Sequence, residues 1–224
     1  MKNYRYYAFI DLLGYKDLIS QDIKSGKHNL KEKLAATFNS LNDVNEADIS
    51  LKSISDSIFV SLNNDTLGFE FFFGVLQKLQ FNFLKNGLLL RGGVTFDAHF
   101  ENGKVTYSPA LVNAYQLESQ SAFFPRILIH EAVIEKLRNE GKLESAVSKK
   151  FIISHAGSYQ IHFLTPENWK ECYGLLKNLA KEQALLIKQD PKIYAKHWYL
   201  YDYLRAFKPD DIHRITKFLP SWGK

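Results

Sequence analysis

Tyr6-Tyr7-Ala8-Phe9-Ile10-Asp11-Leu12-Leu13-Gly14 is the stretch from which the fold is read. Tyr4 to Leu13 is short, aromatic and apolar, and a glycine closes it, which is the pattern of a buried strand. Asp11 interrupts that pattern at its end. Aspartate is rarely buried without a partner, so a carboxylate at the mouth of such a strand needs a cation, a donor or water. The same residue returns in Ile54-Ser55-Asp56-Ser57-Ile58-Phe59, between two short β-type runs. Two such carboxylates, if they converge, would hold divalent metal against a polyphosphate.

Outward from these runs, Tyr15 to Ser25 and Asn29 to Val44 read as helices, the second with Leu30, Leu34, Phe38 and Leu41 on one face. Ile49 to Leu62 reads as two strands broken at Ser55-Asp56, and Asn63-Asn64-Asp65 as a turn. Thr66 to Lys85 is an apolar helix ended by Asn86-Gly87, with its Phe69-to-Phe83 aromatic stripe a core face. Leu88 to Phe100 reads as one long strand, and Glu101-Asn102-Gly103 as a turn into Lys104 to Tyr107. Pro109 suits the first turn of a helix reaching about Ala122. Arg126 to His130 reads as a strand, Glu131 to Glu140 as a helix, and Phe151 to Ile153 and Tyr159 to Leu164 as strands. After Thr165-Pro166 the pattern turns wholly helical, over Trp169 to Gln189 and Lys192 to Phe207. The expected fold is α+β: a split βαβ sheet of the ferredoxin-like kind over residues 1–165, and a helical C-terminal extension over 166–224. That sheet places the end of the first strand beside the turn of the second and third, so Asp11 and Asp56 are expected to meet.

Composition narrows the class. The chain has 224 residues, and with 46% of them hydrophobic it has enough apolar side chain for a core, which argues against disorder. No run approaches the roughly 18 apolar residues of a membrane span, and the start lacks the apolar core of a signal peptide. Cys172 is the single cysteine, so an internal disulfide is excluded and a cytoplasmic location is expected. In a helical pattern with no base beside it, it reads as core. The net charge of +5 comes without a dense basic block or a basic–aromatic RNA motif, so neither a nucleic-acid nor a membrane partner is expected. The seven histidines show no metal-ligand spacing.

The ordered motifs resemble a family. Phe9 to Lys16 is similar to the strand-Asp-x-x-Gly-aromatic opening of class III nucleotidyl cyclases, and Ser55-Asp56-Ser57-Ile58 to their second aspartate hairpin. Leu90-Arg91-Gly92-Gly93-Val94 resembles their Arg-Gly-Gly strand. Pro109 to Glu118, then Ala122 and Pro125-Arg126-Ile127, resembles their Ala-Leu, Ala-Tyr-x-Leu-Glu and Pro-Arg-Ile signature. Lys196 to Tyr203 looks like their Lys-Tyr-x-Trp-Leu-x-x-Tyr helix. The likeness is to the compact bacterial kind, exemplified by the pyrimidine cyclases of Pycsar anti-phage systems.

That resemblance implies a homodimer with sites at its interface, a nucleoside triphosphate substrate, and two Mn²⁺ or Mg²⁺ ions per site held by Asp11, Asp56 and the Leu12 carbonyl. Backbone N–H groups from Leu13, Gly14, Tyr15 and Lys16 would cradle phosphate. Lys52 and Tyr107 stand near the positions that read the base. The product would be a cyclic pyrimidine nucleotide, cUMP or cCMP, sensed by a separate effector. One departure concerns the helix after Pro109, where the wider family places an Asn and an Arg one turn apart. Val112 and Gln116 stand there, and a shift by one offers Asn113 without an arginine. Arg91 is the first candidate for the missing cation, followed by Lys16 and Arg126, although Arg126 also reads as an anchor for Glu118. Plain alternatives stand beside these roles: Asp11 as a helix cap, Asp56 as a turn residue, Lys52 as an exposed strand lysine. A nucleotide-binding module without turnover and a purine cyclase are the competing functions.

Overall fold

The run around Asp11 forms β1 (Tyr4–Leu12), and both of its sheet neighbours come from later in the chain. The computed structural model describes residues 3–42, 44–45, 47–63, 66–102 and 104–220. In it, β1 is followed by α1 (Tyr15–Ser25), α2 (Asn29–Asn39), β2 (Ile49–Ile54), β3 (Ser57–Leu62), α3 (Gly68–Lys85) and β4 (Leu90–Ala98). Next come β5 (Phe100–Glu101), β6 (Thr106–Tyr107), α4 (Pro109–Ser121), β7 (Ile127–Ile129), α5 (Glu131–Asn139) and α6 (Leu143–Ser148). The strands β8 (Ile152–His155) and β9 (Ser158–Ile161) and the helices α7 (Trp169–Glu182), α8 (Ala184–Gln189) and α9 (Pro191–Ala206) complete it. Parts of the expected start, turns and tail (Met1, Lys2, Asp43, Glu46, Asn64, Asp65, Gly103 and residues 221–224) lie outside the described residues.

The fold is α+β with a helical C-terminal portion. One sheet runs β2-β3-β1-β4-β7-β9-β8, and β5-β6 form a separate ribbon. The first four strands have the order of a split βαβ unit, with β1 antiparallel to both β3 and β4. Alternation along β1 decides what each sheet face carries. Tyr6, Ala8, Ile10 and Leu12 join the main core with Phe72, Phe73, Leu76 and Phe83 of α3. Tyr7 and Phe9 point the other way, against Ala110 and Ala114 of α4 and Phe59 of β3. The same period sends Asp11 to this second face.

Gly93 lets α4 lie close. A Cβ there would fall 2.5 Å from the Ala114 carbonyl oxygen and 2.9 Å from Leu117 Cβ. Since α4 is rigid backbone at that point, only a displacement of the helix would make room.

Several element boundaries differ from the sequence pattern, among them the strand expected over Tyr159 to Leu164, which spans Ser158–Ile161. Three others have a local cause. The strand expected over Leu88 to Phe100 ends at Ala98, because the His99 ring turns into the core and its Nδ1 meets Ser108 Oγ at 2.8 Å. The helix expected to reach Val44 ends at Asn39, where Ser40 Oγ donates to the Thr37 carbonyl at 2.6 Å. The helix expected over Trp169 to Gln189 is split at Gln183, whose Oε1 lies 2.9 Å from His197 Nε2. Helix α6 has no counterpart in the sequence reading. No described helix is long and apolar enough to cross a membrane.

Helix α9 docks through a polar seam as well as apolar contacts. Tyr199 donates to Gln160 Oε1 at 2.5 Å, and the Tyr203 hydroxyl meets His162 Nδ1 at 2.7 Å. Leu200 and Leu204 pack with Phe163, Leu164 and Leu176, and the indole of Trp169 donates to the Leu204 carbonyl. Cys172 belongs to this cluster; burial pushes its thiol up to about 12, as suits an inert core cysteine.

Two measurements test this packing. Gly93→Ala should cost about 1–3 kcal/mol in denaturant unfolding, the range for an overpacked core position. Burial holds His162 and His197 down at about 4 in the folded chain, against 6.5 for a free imidazole. Protons then bind the unfolded chain first. Stability is full above pH 6.5 and is lost as pH falls from there toward 4. Urea midpoints across pH 7.5 to 4 should show that decline, and His162→Gln should make it shallower.

Candidate functional site

Two strand pairings and one hydrogen bond bring Asp11 and Asp56 together. Asp11 stands opposite Ser57 on β3 and opposite Arg91 on β4. Ser55 and Asp56 form the tight turn between β2 and β3, with Ser55 at the positive φ of 59°. The N–H of Leu12 donates to the Asp56 carbonyl at 2.9 Å, which ties the turn to the residue after Asp11. The expected convergence is therefore present, and it is set by the backbone.

Arg91 organises the charges. Its Nε donates to Asp11 Oδ2 at 3.0 Å and lies 2.7 Å from Glu118 Oε1. The second approach is an ion pair without hydrogen-bond alignment, since Glu118 Oε1 has no hydrogen-bond partner. Glu118 is only 3% exposed and comes from the last turns of α4. Burial pushes the Asp11 carboxyl above its ordinary range; Arg91 opposes this, and the charge of Asp56 adds to it. Burial likewise raises Glu118, with Arg91 opposing and Asp11 and Asp56 adding. Two carboxylates thus share one guanidinium, and the charge of a third, Asp56, reaches both of them. Lys196 of α9 completes the set: it is half-buried and its charge acts on both Asp11 and Arg91.

Beside this cluster, Gly14 takes φ 76° and precedes α1, which has no side-chain cap at its N-terminus. Positive φ costs glycine little. Uncapped N–H groups at a helix start favour an anion. The expected phosphate cradle needs one correction. The Leu13 amide extends the β1–β4 pairing by donating to the Leu89 carbonyl at 2.9 Å, so it is not available to a ligand. Gly14, Tyr15 and Lys16 remain.

The other expected residues lie elsewhere. Asn113 donates to Asp97 Oδ2 at 2.9 Å. Asp97 is six positions along β4 from Arg91, about 20 Å in an extended strand, so Asn113 does not join Asp11 and Asp56 within one chain. Lys52 stands on β2, two strands from Asp11, and is ion-paired to Glu101 of β5. Tyr107 is 69% exposed on the β5–β6 ribbon. Val112 and Gln116 face solvent on α4. Lys16 is exposed on α1. Arg126 is buried between aromatic rings, 5.6 Å from Phe124 and 5.4 Å from Tyr199, and Glu118 pairs with Arg91 instead of with it.

The donors suit a hard divalent cation. Asp11 and Asp56 offer carboxylate oxygens, and the strand end adds backbone carbonyls. Among the described residues no cluster of three or more His, Cys, Asp or Glu could enclose a metal. Mg²⁺ is usually held by one or two carboxylates and completed by water and substrate phosphate, so two suffice.

No protein-family model matches the chain, and no curated protein matches its sequence. Among solved structures, it is similar to the guanylyl cyclase Cya2 at 12% identity and a TM-score of 0.40, over 72% of this chain and 92% of that one. It is also similar to a bacterial light-regulated adenylyl cyclase at 11% identity and a TM-score of 0.35, over 60% of this chain and 45% of that one. At these scores neither likeness carries weight for function; the chain's own residues must.

The Arg91–Glu118 contact gives a direct test. Arg91→Met leaves the buried Glu118 carboxylate without its cation and should destabilise the fold by about 3 kcal/mol. Adding Glu118→Gln should recover at least half of that loss. A double-mutant cycle of urea unfolding measures the coupling, and additive losses would mean the two side chains do not interact.

Proposed function

We propose that this chain is a metal-dependent nucleotidyl cyclase that converts UTP or CTP to the 3′,5′-cyclic nucleotide and pyrophosphate. The observation that carries this reading is the meeting of Asp11 and Asp56 beside Arg91, next to the uncapped start of α1. Such a site has acidic oxygens for a cation, a guanidinium for a phosphate, and free amides for phosphate oxygens.

In the reaction, the ribose 3′-oxygen attacks the α-phosphorus. An O3′–P bond forms, the bond from that phosphorus to the bridging oxygen breaks, the hydroxyl proton passes to solvent, and pyrophosphate leaves. Catalysis of this kind is positioning and charge stabilisation. Asp11 and Asp56 would hold divalent metal, which when bound makes the hydroxyl more acidic and offsets phosphate charge. The amides of Gly14, Tyr15 and Lys16 would hold phosphate oxygens. Arg91, partly released when Asp11 turns to metal, would meet charge that builds on the phosphates. Its tie to Glu118 keeps the guanidinium aimed at the site.

The proposal includes a homodimer. Asp11 and Arg91 lie at one end of the sheet, while Asn113 sits near Asp97 and Lys52 and Tyr107 are displaced across it. A two-fold partner would supply one set to the other. Phe59 is only partly buried where α4 packs on this sheet face, Tyr115 stays exposed against Phe9, and Ile54, Tyr107 and Val112 are exposed as well. Lys52 and the Glu101 carboxylate, already paired across strands, would supply donor and acceptor to a base edge. The biological role we propose is that of anti-phage signalling, in which the cyclic product activates a separate effector.

Incubation of the purified protein with each of the four NTPs and Mn²⁺, read by mass spectrometry, should give cUMP or cCMP. Asp11→Ala and Asp56→Ala should lower turnover by at least a hundredfold, and chelation should abolish it. Mixing Asp56→Ala with Asn113→Ala should restore activity, because mixed dimers retain one intact site. A purine product would move the specificity; nucleotide binding without product from any NTP would leave a binding module. Product formed by Asp56→Ala at the wild-type rate would remove the metal assignment.

A further inference from the structure

The helical C-terminal portion reaches the candidate site with one charged group. Lys196 lies in the second turn of α9, which starts at Pro191 and is capped by Asp190, whose carboxylate accepts from the Lys192 N–H at 2.7 Å. A cavity of about 380 Å³ opens between the Leu13-Gly14 turn and helices α8 and α9, and Lys196 lines it together with Gly14, Asp17, Lys33 and His197.

The electrostatics of Lys196 are unbalanced. It is half-buried, and among the described residues no carboxylate lies within ion-pair distance of its Nζ. Burial lowers its pKa, the like charge of Arg91 lowers it further, and only Asp190 and Asp11 act in its favour. A lysine costs free energy in such a place unless an anion neutralises it. Arg91 already takes Asp11 and Glu118. If Asp11 turns to a divalent cation, only Asp190 still acts in favour of the Lys196 charge. Lys196 and Lys33 both line the cavity that meets the Gly14 turn at the start of α1, together with the acidic residues Asp17 and Glu182.

We infer that Lys196 of α9 contacts the outer phosphates of the nucleotide, which occupy the cavity between the Gly14 turn and the C-terminal helices. This rests on the cyclase reading and names the subsite for its leaving group. The pyrophosphate would be held by the same protomer's C-terminal helix, so the helical portion belongs to the site. Lys196 is flexible enough to follow the phosphate from substrate to departing product. The docking of α9 through Tyr199 and Tyr203, three and seven residues along, fixes where its stem starts.

The test uses the full chain and inorganic tripolyphosphate with Mg²⁺, measured by calorimetry. Lys196→Met, which keeps the apolar stem, should weaken tripolyphosphate binding by tenfold or more, and Lys196→Arg should retain most of it. Lys142→Met, a surface control remote from the cavity, should change nothing. In the wild-type protein, saturating tripolyphosphate should protect Lys196 from amine acylation in a mass-spectrometric footprint, which needs no variant to fold. If cyclic product is detected, Lys196→Met should raise the KM for NTP more than it lowers kcat. Equal tripolyphosphate affinity in wild type and Lys196→Met, or unchanged acylation of Lys196, would overturn the inference. Absence of product from every NTP would overturn the cyclase reading instead, and the tripolyphosphate comparison would still decide Lys196.

Discussion

The pairing of Asp11 with Arg91 is the contact on which the rest of the site depends. It is a cross-strand pair at the end of β1 and β4, on the sheet face that α4 covers. Opposite charges directly across an antiparallel ladder are modestly favourable in water. Here Glu118 joins from α4 inside a partly dry environment, which makes the group more demanding. One guanidinium serves two carboxylates and a third lies within electrostatic reach. The cluster is stable enough to form, yet carries surplus negative charge on its open side. A divalent cation is the chemically simple way to satisfy it.

Backbone geometry leads to that arrangement without help from the charges. The period of two along β1 puts Asp11 on the α4 side, Gly93 permits α4 to approach, and the Leu12 amide draws the Ser55-Asp56 turn inward. Each feature is fixed by packing or by ladder hydrogen bonds, and both are more rigid than a surface loop. Preorganised donors of this sort are what electrostatic catalysis requires, because no reorganisation is then needed during the reaction.

The central part of the fold was legible because its signals are local. Apolar runs, Gly14 and Asn86-Gly87 marked the strands and helices around Asp11 and Asp56, and element order implied their meeting. The role of Glu118 was not legible, since an acid in a helix pattern carries no mark of which arginine it faces. Arg126 was as plausible a partner by sequence, but Phe124 and Tyr199 enclose it. The Leu13 amide reads as free in the sequence for a related reason: only the register with Leu89 shows that the ladder continues past Leu12. The break at His99 was hidden because a histidine within an apolar run gives no sign that Ser108 waits to bond it.

Lys196 is the sharper case. In sequence Lys196 opens the family-like helix motif that runs to Tyr203, but it is remote from either aspartate and nothing there links it to phosphate. Its position depends on α9 packing against β9 and α7, through Gln160, His162 and Trp169. Those contacts are buried and hydrogen-bonded, so they place the lysine stem firmly, while among the described residues no carboxylate pairs with the ammonium. A fold that only needed α9 for stability would gain by placing Met or Leu where the stem runs. A desolvated ammonium beside a second cation works against stability until an anion arrives. That opposition between packing and charge, at the edge of a cavity facing Gly14, is the physical reason to treat the helical portion as part of the site.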